Sequence, residues 1–345
     1  MRSAQGLAPP AAATGIGSLP GTDILESTRL VSGECPDLPY LPELPARGPG
    51  ADLIGRTAGL LAAIDHGFAV DTTPTGWRFA DAPGAVVRRA QSWVNQDLDA
   101  LEDEFSTTRG SVKVSLCGPW TLAAGIELRN GERAVQDPGA CADVGAALGE
   151  LATAHIAEVQ RRLPGALLVV QLDEPSLASV LTGSLSRQSG WGRLMPVAES
   201  VVAATLRGVA DAVRAAGARS VLHCCADRPP YDVLATSGVD GFGVDASRVT
   251  DGDVDALGGA LESGQSLMLG VAPATDGPLS EVGASVRQVI GLGHRLGFSI
   301  DAWVGQLLLS LSCGMAGASP AYVRDVMTHL RDVSGALTQA DERDS

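Results

Sequence analysis

Eight short apolar runs, near residues 14, 40, 114, 169, 221, 242, 268 and 309, punctuate this chain of 345 residues, and nearly all are followed by a helix-like stretch. Few folds are open to a chain that alternates strand and helix so regularly. The repeat predicts a TIM (β/α)8 barrel, the α/β architecture in which parallel strands close into a ring. The alternative is two βαβ halves around an open sheet. No Gly-x-Gly-x-x-Gly stands at a strand–helix junction, which leaves a dinucleotide site with little support.

The strand-like runs differ in quality. Leu167–Leu172 is apolar almost throughout, as a strand buried on both faces requires. The run around residue 40 carries Pro39, Pro42 and Pro45 and suits only a short strand. Residues 70–83, with Pro74, Gly76 and Pro83, read as an inserted loop, and 183–192 as a Gly/Ser-rich one. Helices are expected over 52–64, 85–104, 141–162, 197–216, 279–296 and 322–337, among others. The resulting division is a flexible tail at 1–12, a single barrel at 13–338 and a polar end at 339–345.

Composition narrows the function. With 25 basic and 40 acidic residues the net charge is −15, which disfavours nucleic acid and anionic membranes as partners. No apolar run reaches the ~18 residues of a membrane span, and Met1–Ala13 lacks the apolar core of a secretory signal. The six cysteines are scattered through a long chain, unlike a disulfide framework, which points to a reducing, cytoplasmic setting.

Three stretches carry candidate chemistry. Ser220-Val221-Leu222-His223 ends a strand and is followed by Cys224 and Cys225. Alternation puts His223 and Cys225 on one face and Cys224 on the other. Two further strands end in Asp245 and Cys313, and in a parallel barrel all these ends meet at one mouth. His223, Cys225, Asp245 and Cys313 suit Zn²⁺. The same residues also fit buried apolar thiols and a hydrogen-bonded core histidine. Second, Asp173-Glu174 follows the strand 167–172. Adjacent carboxylates there fit either a substrate ammonium or an acidic turn capping the next helix. Third, Gly15-Ile16-Gly17-Ser18 offers backbone N–H groups and a hydroxyl to a carboxylate, or is a plain turn. His66, His155, His294 and His329 fall on expected helices or their ends and read as structural or surface residues.

Taken in order, Thr14-Gly15-Ile16-Gly17-Ser18-Leu19-Pro20, Leu116-Cys117-Gly118-Pro119-Trp120-Thr121-Leu122, Gln171-Leu172-Asp173-Glu174-Pro175-Ser176-Leu177, His223-x-Cys225, Asp245-Ala246-Ser247-Arg248 and Cys313-Gly314 form a series. That series resembles the C-terminal catalytic barrel of cobalamin-independent methionine synthase over roughly residues 14–315, within the superfamily that also holds uroporphyrinogen decarboxylase-like barrels. The resemblance implies a zinc-dependent S-methyltransferase that activates homocysteine, or a related thiol, as a zinc thiolate and forms methionine. It implies His223, Cys225 and Cys313 as zinc ligands, with Asp245 where the family has Glu. Ile16 and Ser18 fall in its amino-acid-binding turn. Asp173 falls on the carboxylate that holds the substrate amine, with Glu174 assisting. No residue is assigned as a catalytic acid or base.

Departures from the family pattern bear on the donor. Asp for Glu shortens the ligand arm by about 1.5 Å. The place of the Trp associated with the folate ring holds Gly125, the place of the proton-donating His holds Thr275, and the second amine-binding Glu has no counterpart near Arg47–Asp52. In length the chain resembles the short, single-barrel members of the family. The methyl donor is therefore open among a folate, a methylcorrinoid and another small methylated compound. A decarboxylase of the uroporphyrinogen type and a non-catalytic barrel that binds zinc or a thiol are the alternative functions.

Overall fold

The computed structural model describes residues 6–64, 68–187 and 191–344, with side chains to 339. Among the described residues ten strands occur in chain order: β1 (Ala12–Ala13), β2 (Val70–Thr73), β3 (Gly76–Phe79), β4 (Ser111–Cys117), β5 (Ile126–Glu127), β6 (Leu167–Asp173), β7 (Arg219–His223), β8 (Gly241–Asp245), β9 (Ser266–Ala272) and β10 (Leu307–Leu311). Seven form one sheet in the order β1-β10-β9-β8-β7-β6-β4, and every pair is parallel.

Residues 39–43 close the ring between β4 and β1. On one side Leu41 donates to the Lys113 carbonyl at 2.9 Å and Lys113 donates to Pro39 at 2.8 Å. On the other, Glu43 donates to Gly17 at 3.1 Å and Leu19 to Glu43 at 2.9 Å. This eighth strand is reduced to isolated bridges, Tyr40 with Lys113 and Ser18 with Glu43. Pro39 and Pro42 have no N–H to give, so a longer ladder cannot form. The fold is the expected (β/α)8 barrel.

Helices sheathe the ring. Asp137 caps the helix Pro138–Arg162 by accepting from the Ala140 N–H at 3.0 Å, which starts it earlier than its apolar pattern suggests. Leu7, Ala12, Ile16, Leu38, Val169, Val221, Met268 and Leu308 pack as a separate apolar cluster, with Val169, Val221, Met268 and Leu308 supplied by β6, β7, β9 and β10. Residues 6–12 lie in the stretch expected to be a tail. There Leu7 is buried, and its carbonyl accepts from Ser111 Oγ at 2.6 Å, at the start of β4. At the other end, the last helix spans Pro320–Asp344.

The stretch 70–83 departs from the expected loop. Its first ten residues form an antiparallel hairpin, β2 with β3, and β5 adds to it in parallel. Pro74 and Thr75 make the turn, and Gly76 opens β3 at φ 138. Trp77 is buried and donates to Asp52 at 3.2 Å, and Phe79 meets Phe68 edge-on at 5.0 Å. Among the described residues no helix is long and apolar enough to cross a membrane.

Candidate metal and amino-acid site

β7 delivers His223 to the C-terminal mouth, Cys225 follows two residues later, and Cys313 arrives just after β10. The ligand atoms of these three side chains all lie within 4.8 Å of one another. His223 is buried, yet neither ring nitrogen has a hydrogen-bond partner. Two orphaned nitrogens beside two thiols are costly unless something binds them. Gly243 on β8 faces the ring, and a Cβ there would sit 2.9 Å from His223 Nδ1.

The thiols are unequal. Cys225, and then His223, favour a thiolate at Cys313, whose pKa is lowered from 9.0 to about 4. Cys225 is pushed up, first by that same contact and then by burial. Cys224 points to the opposite face, where burial raises it to about 11, and all six cysteines are free.

Asp245 behaves differently from the expectation of a fourth ligand. It lines the same small cavity, about 100 Å³, as His223, Cys225 and Cys313, but does not join their cluster. Ser247 donates to its Oδ1 from the backbone at 2.9 Å and from the hydroxyl at 2.6 Å. Arg248 Nε stands 3.2 Å from Oδ2. The shorter Asp arm is spent on closing its own turn.

On the neighbouring strands lies a second group. Asp173 is buried, and its carboxyl is raised well above its ordinary value by burial and then by Glu43. Glu43, at the end of the 39–43 strand, is also raised by burial, against the pull of Arg56 at 3.3 Å. Arg56 shares Asp97 with Arg47, at 2.8 and 2.6 Å. Two buried carboxylates influencing each other make a receptor for one cation. Glu43 is thus a candidate for the place of the second amine-binding Glu, and it lies before the stretch 47–52 where the sequence shows none. Its signal was the position of an acid at the end of the Pro-rich strand.

Ile16 and Ser18 stand beside both groups. The Ile16 carbonyl accepts from Gln171 at 2.7 Å and from Lys113 at 2.9 Å. The Ser18 carbonyl accepts from Met315 at 2.8 Å, and a methyl group on Gly314 would overlap Ser18 Oγ. The turn is therefore docked against the segment that carries Cys313.

Glu174 requires a correction. Its neighbour Asp173 faces inward, so strand alternation turns Glu174 out. Both its oxygens cap the helix Pro119–Gly125, taking Trp120 N at 2.9 Å and Thr121 N and Oγ1 at 2.7 Å each. Burial still raises it to about 7. It does not assist Asp173. Of the remaining histidines, His155 is buried and pushed down to about 4, His329 meets Ser285 at 3.0 Å, His294 is exposed, and His66 lies outside the described residues.

The model of the cobalamin-independent synthase catalytic domain matches residues 11–336. The chain belongs to that family. It is therefore a methyltransferase of the methionine synthase type. Among solved structures it is similar to a B12-independent methionine synthase from Shewanella sp. W3-18-1, in complex with selenomethionine. The two share 14% identity over 96% of this chain and 98% of that one, with a TM-score of 0.59. That likeness bears on the fold. A double mutant of a Cellulomonas fimi endo-beta-1,4-mannanase, 12% identical over 69% of this chain and 58% of its own, reaches a TM-score of 0.38 and carries no argument. No curated protein matches the chain.

Proposed function

We propose that this member transfers a methyl group to the thiol of homocysteine or a closely related amino-acid thiol, with zinc held by His223, Cys225 and Cys313. The observation that carries the reading is the buried, unpartnered His223 ring beside two thiols. Three protein donors with a free position is the pattern of catalytic zinc rather than structural zinc. Bound there, the ion would supply the Lewis acidity that keeps a substrate thiol deprotonated at neutral pH.

The chain's own residues then hold the substrate. Glu43 and Asp173 receive its ammonium, and the Ile16–Ser18 turn receives its carboxylate. The selenomethionine in the Shewanella protein is a selenium analogue of the product this reading requires. In the reaction the thiolate sulfur attacks the methyl carbon. A sulfur–carbon bond forms, and the donor leaves with the electron pair of the bond that breaks. The place of the family's folate-associated Trp is filled differently here, since Gly125 packs against Ile54. The donor thus stays open among a folate, a methylcorrinoid and another small methylated compound.

Metal analysis of protein purified without chelator tests the centre: about one zinc per chain is expected, with most of it lost in Cys225→Ser and Cys313→Ser. Homocysteine methylation assayed with each donor class tests the reaction. Full zinc retention in both variants would remove the ligand assignment, and turnover with none of the donors would favour a binding role.

A further inference from the structure

Lys113 is a buried cation for which the chemistry above has no use. It lies on β4 inside the ring, with no exposed surface. Its ammonium donates to the Ile16 carbonyl at 2.9 Å and to Gln171 Oε1 at 2.6 Å, and stands 5.1 Å from the centroid of the Tyr40 ring. With Oε1 taken, the Gln171 amide has one orientation left. Its Nε2 donates to the Ile16 carbonyl at 2.7 Å and to Asp173 Oδ1 at 2.8 Å.

An ammonium offers only donors, whereas a carboxamide has one donor end and one acceptor end. Turned over, Gln171 would aim its oxygen at Asp173 and at the Ile16 carbonyl, with no proton between them, and would present its NH₂ to an ammonium. Lys113 selects against that state. Asp173 Oδ1 is then already committed, which leaves Oδ2 for a ligand. The Ile16 carbonyl, held by both side chains, fixes the Ile16–Gly17 peptide plane, and the Gly17 N–H points the opposite way because the peptide is planar and trans.

We propose that Lys113, acting through Gln171, is the positioning residue of the amino-acid site, setting Asp173 for the substrate's ammonium and the Ile16–Gly17 peptide for its carboxylate. This rests on the reading of that site as one for an amino-acid thiol. The lysine acts through Gln171 and the Ile16 carbonyl, and so joins Asp173 to the Ile16–Gly17 peptide.

The test is calorimetric titration of the zinc-loaded full chain with L-homocysteine and with propanethiol, which offers the thiol alone. In Lys113→Met the Kd for homocysteine should rise more than tenfold, while propanethiol binding changes less than twofold and zinc content is unchanged. Gln171→Glu keeps an acceptor for Lys113 but replaces the N–H that faces Asp173 with an oxygen, and thermal melting of the metal-free variant reports its fold separately. It should show the same selective loss and decides the matter if Lys113→Met does not fold. If the wild type prefers homocysteine and both variants keep that preference, this inference is overturned and the proposed function stands. Equal loss of both thiols would mark a structural role only and also overturn it. A wild type with no preference for homocysteine would remove the amino-acid reading and this inference together.

Discussion

Gly243→Ala is the smallest change that should reach the metal centre. The added Cβ would stand 2.9 Å from His223 Nδ1, with Met268 Cε at 3.6 Å and the His223 Cα at 3.7 Å. Ordinary contact begins near 3.4 Å, so the ring must withdraw by about half an ångström, in an interior packed as densely as a crystal. Metal–ligand distances tolerate only about ±0.2 Å. A disturbance beside a ligand of this kind typically costs 10–100-fold in metal affinity, or about 1.4–2.7 kcal/mol. The glycine's backbone lies outside the left-handed region, so alanine introduces no dihedral strain. Competition with a chromophoric chelator gives the zinc Kd directly, and thermal melting of the metal-free protein reports the fold separately. Gly291→Ala is the control, because Gly291 sits in the helix Val282–Leu296 with nothing within 4 Å of the added methyl. That control should leave zinc binding alone and stabilise the helix by about 0.5–1 kcal/mol. An unchanged zinc Kd in Gly243→Ala would refute the placement of His223 in the metal site.

Asp173→Asn should weaken homocysteine binding more than tenfold, as loss of a charged hydrogen bond costing about 2–5 kcal/mol implies, with zinc content unaltered; equal affinity would mean a thiol without an amino group. Leu7→Ala should destabilise the fold by about 2–5 kcal/mol in urea titrations, because Leu7 is 5% exposed within the interior cluster; a shift under 0.5 kcal/mol would show that the segment is dispensable. Glu174 is raised from 4.5 to about 7, so the folded chain keeps a proton that the unfolded chain releases between those pH values. Stability therefore falls as pH rises through that window, by about 3 kcal/mol for this group. Glu174→Gln should flatten that part of the curve of urea midpoint against pH, and an identical slope would count against the assignment.

Where the physics was local, the sequence was legible. β6 was expected at 167–172 and runs Leu167–Asp173, and β7 was expected at 219–223 and runs Arg219–His223. Both are bounded by sharp changes from apolar to polar or Gly residues. The strand at 39–43 was placed only roughly, since its prolines leave bridges instead of a ladder. The hairpin Val70–Phe79 looks like a loop in sequence because four-residue strands around a Pro-Thr turn carry little periodicity of their own. Its burial comes from Asp52 and Phe68, which no local pattern announces.

In the site the decisive rule is strand alternation. Used at His223, Cys224 and Cys225, it separated the inward pair from the outward thiol, in agreement with the cluster of His223, Cys225 and Cys313. Applied to Asp173 and Glu174, it would have sent one carboxylate inward and the other to the helix behind, where Trp120 and Thr121 hold it. Applied along β6 and β4, it places Gln171 on the face of Asp173 and singles out Lys113, the one charge in a run that is buried throughout. A lysine there requires acceptors from neighbouring strands, and Gln171 and the Ile16 carbonyl are the ones it has. What no alternation rule supplies is side-chain reach. Whether Asp245 lies with the cluster or against Ser247 depends on the turn after β8, where Ser247 donates to its Oδ1 from both backbone and hydroxyl.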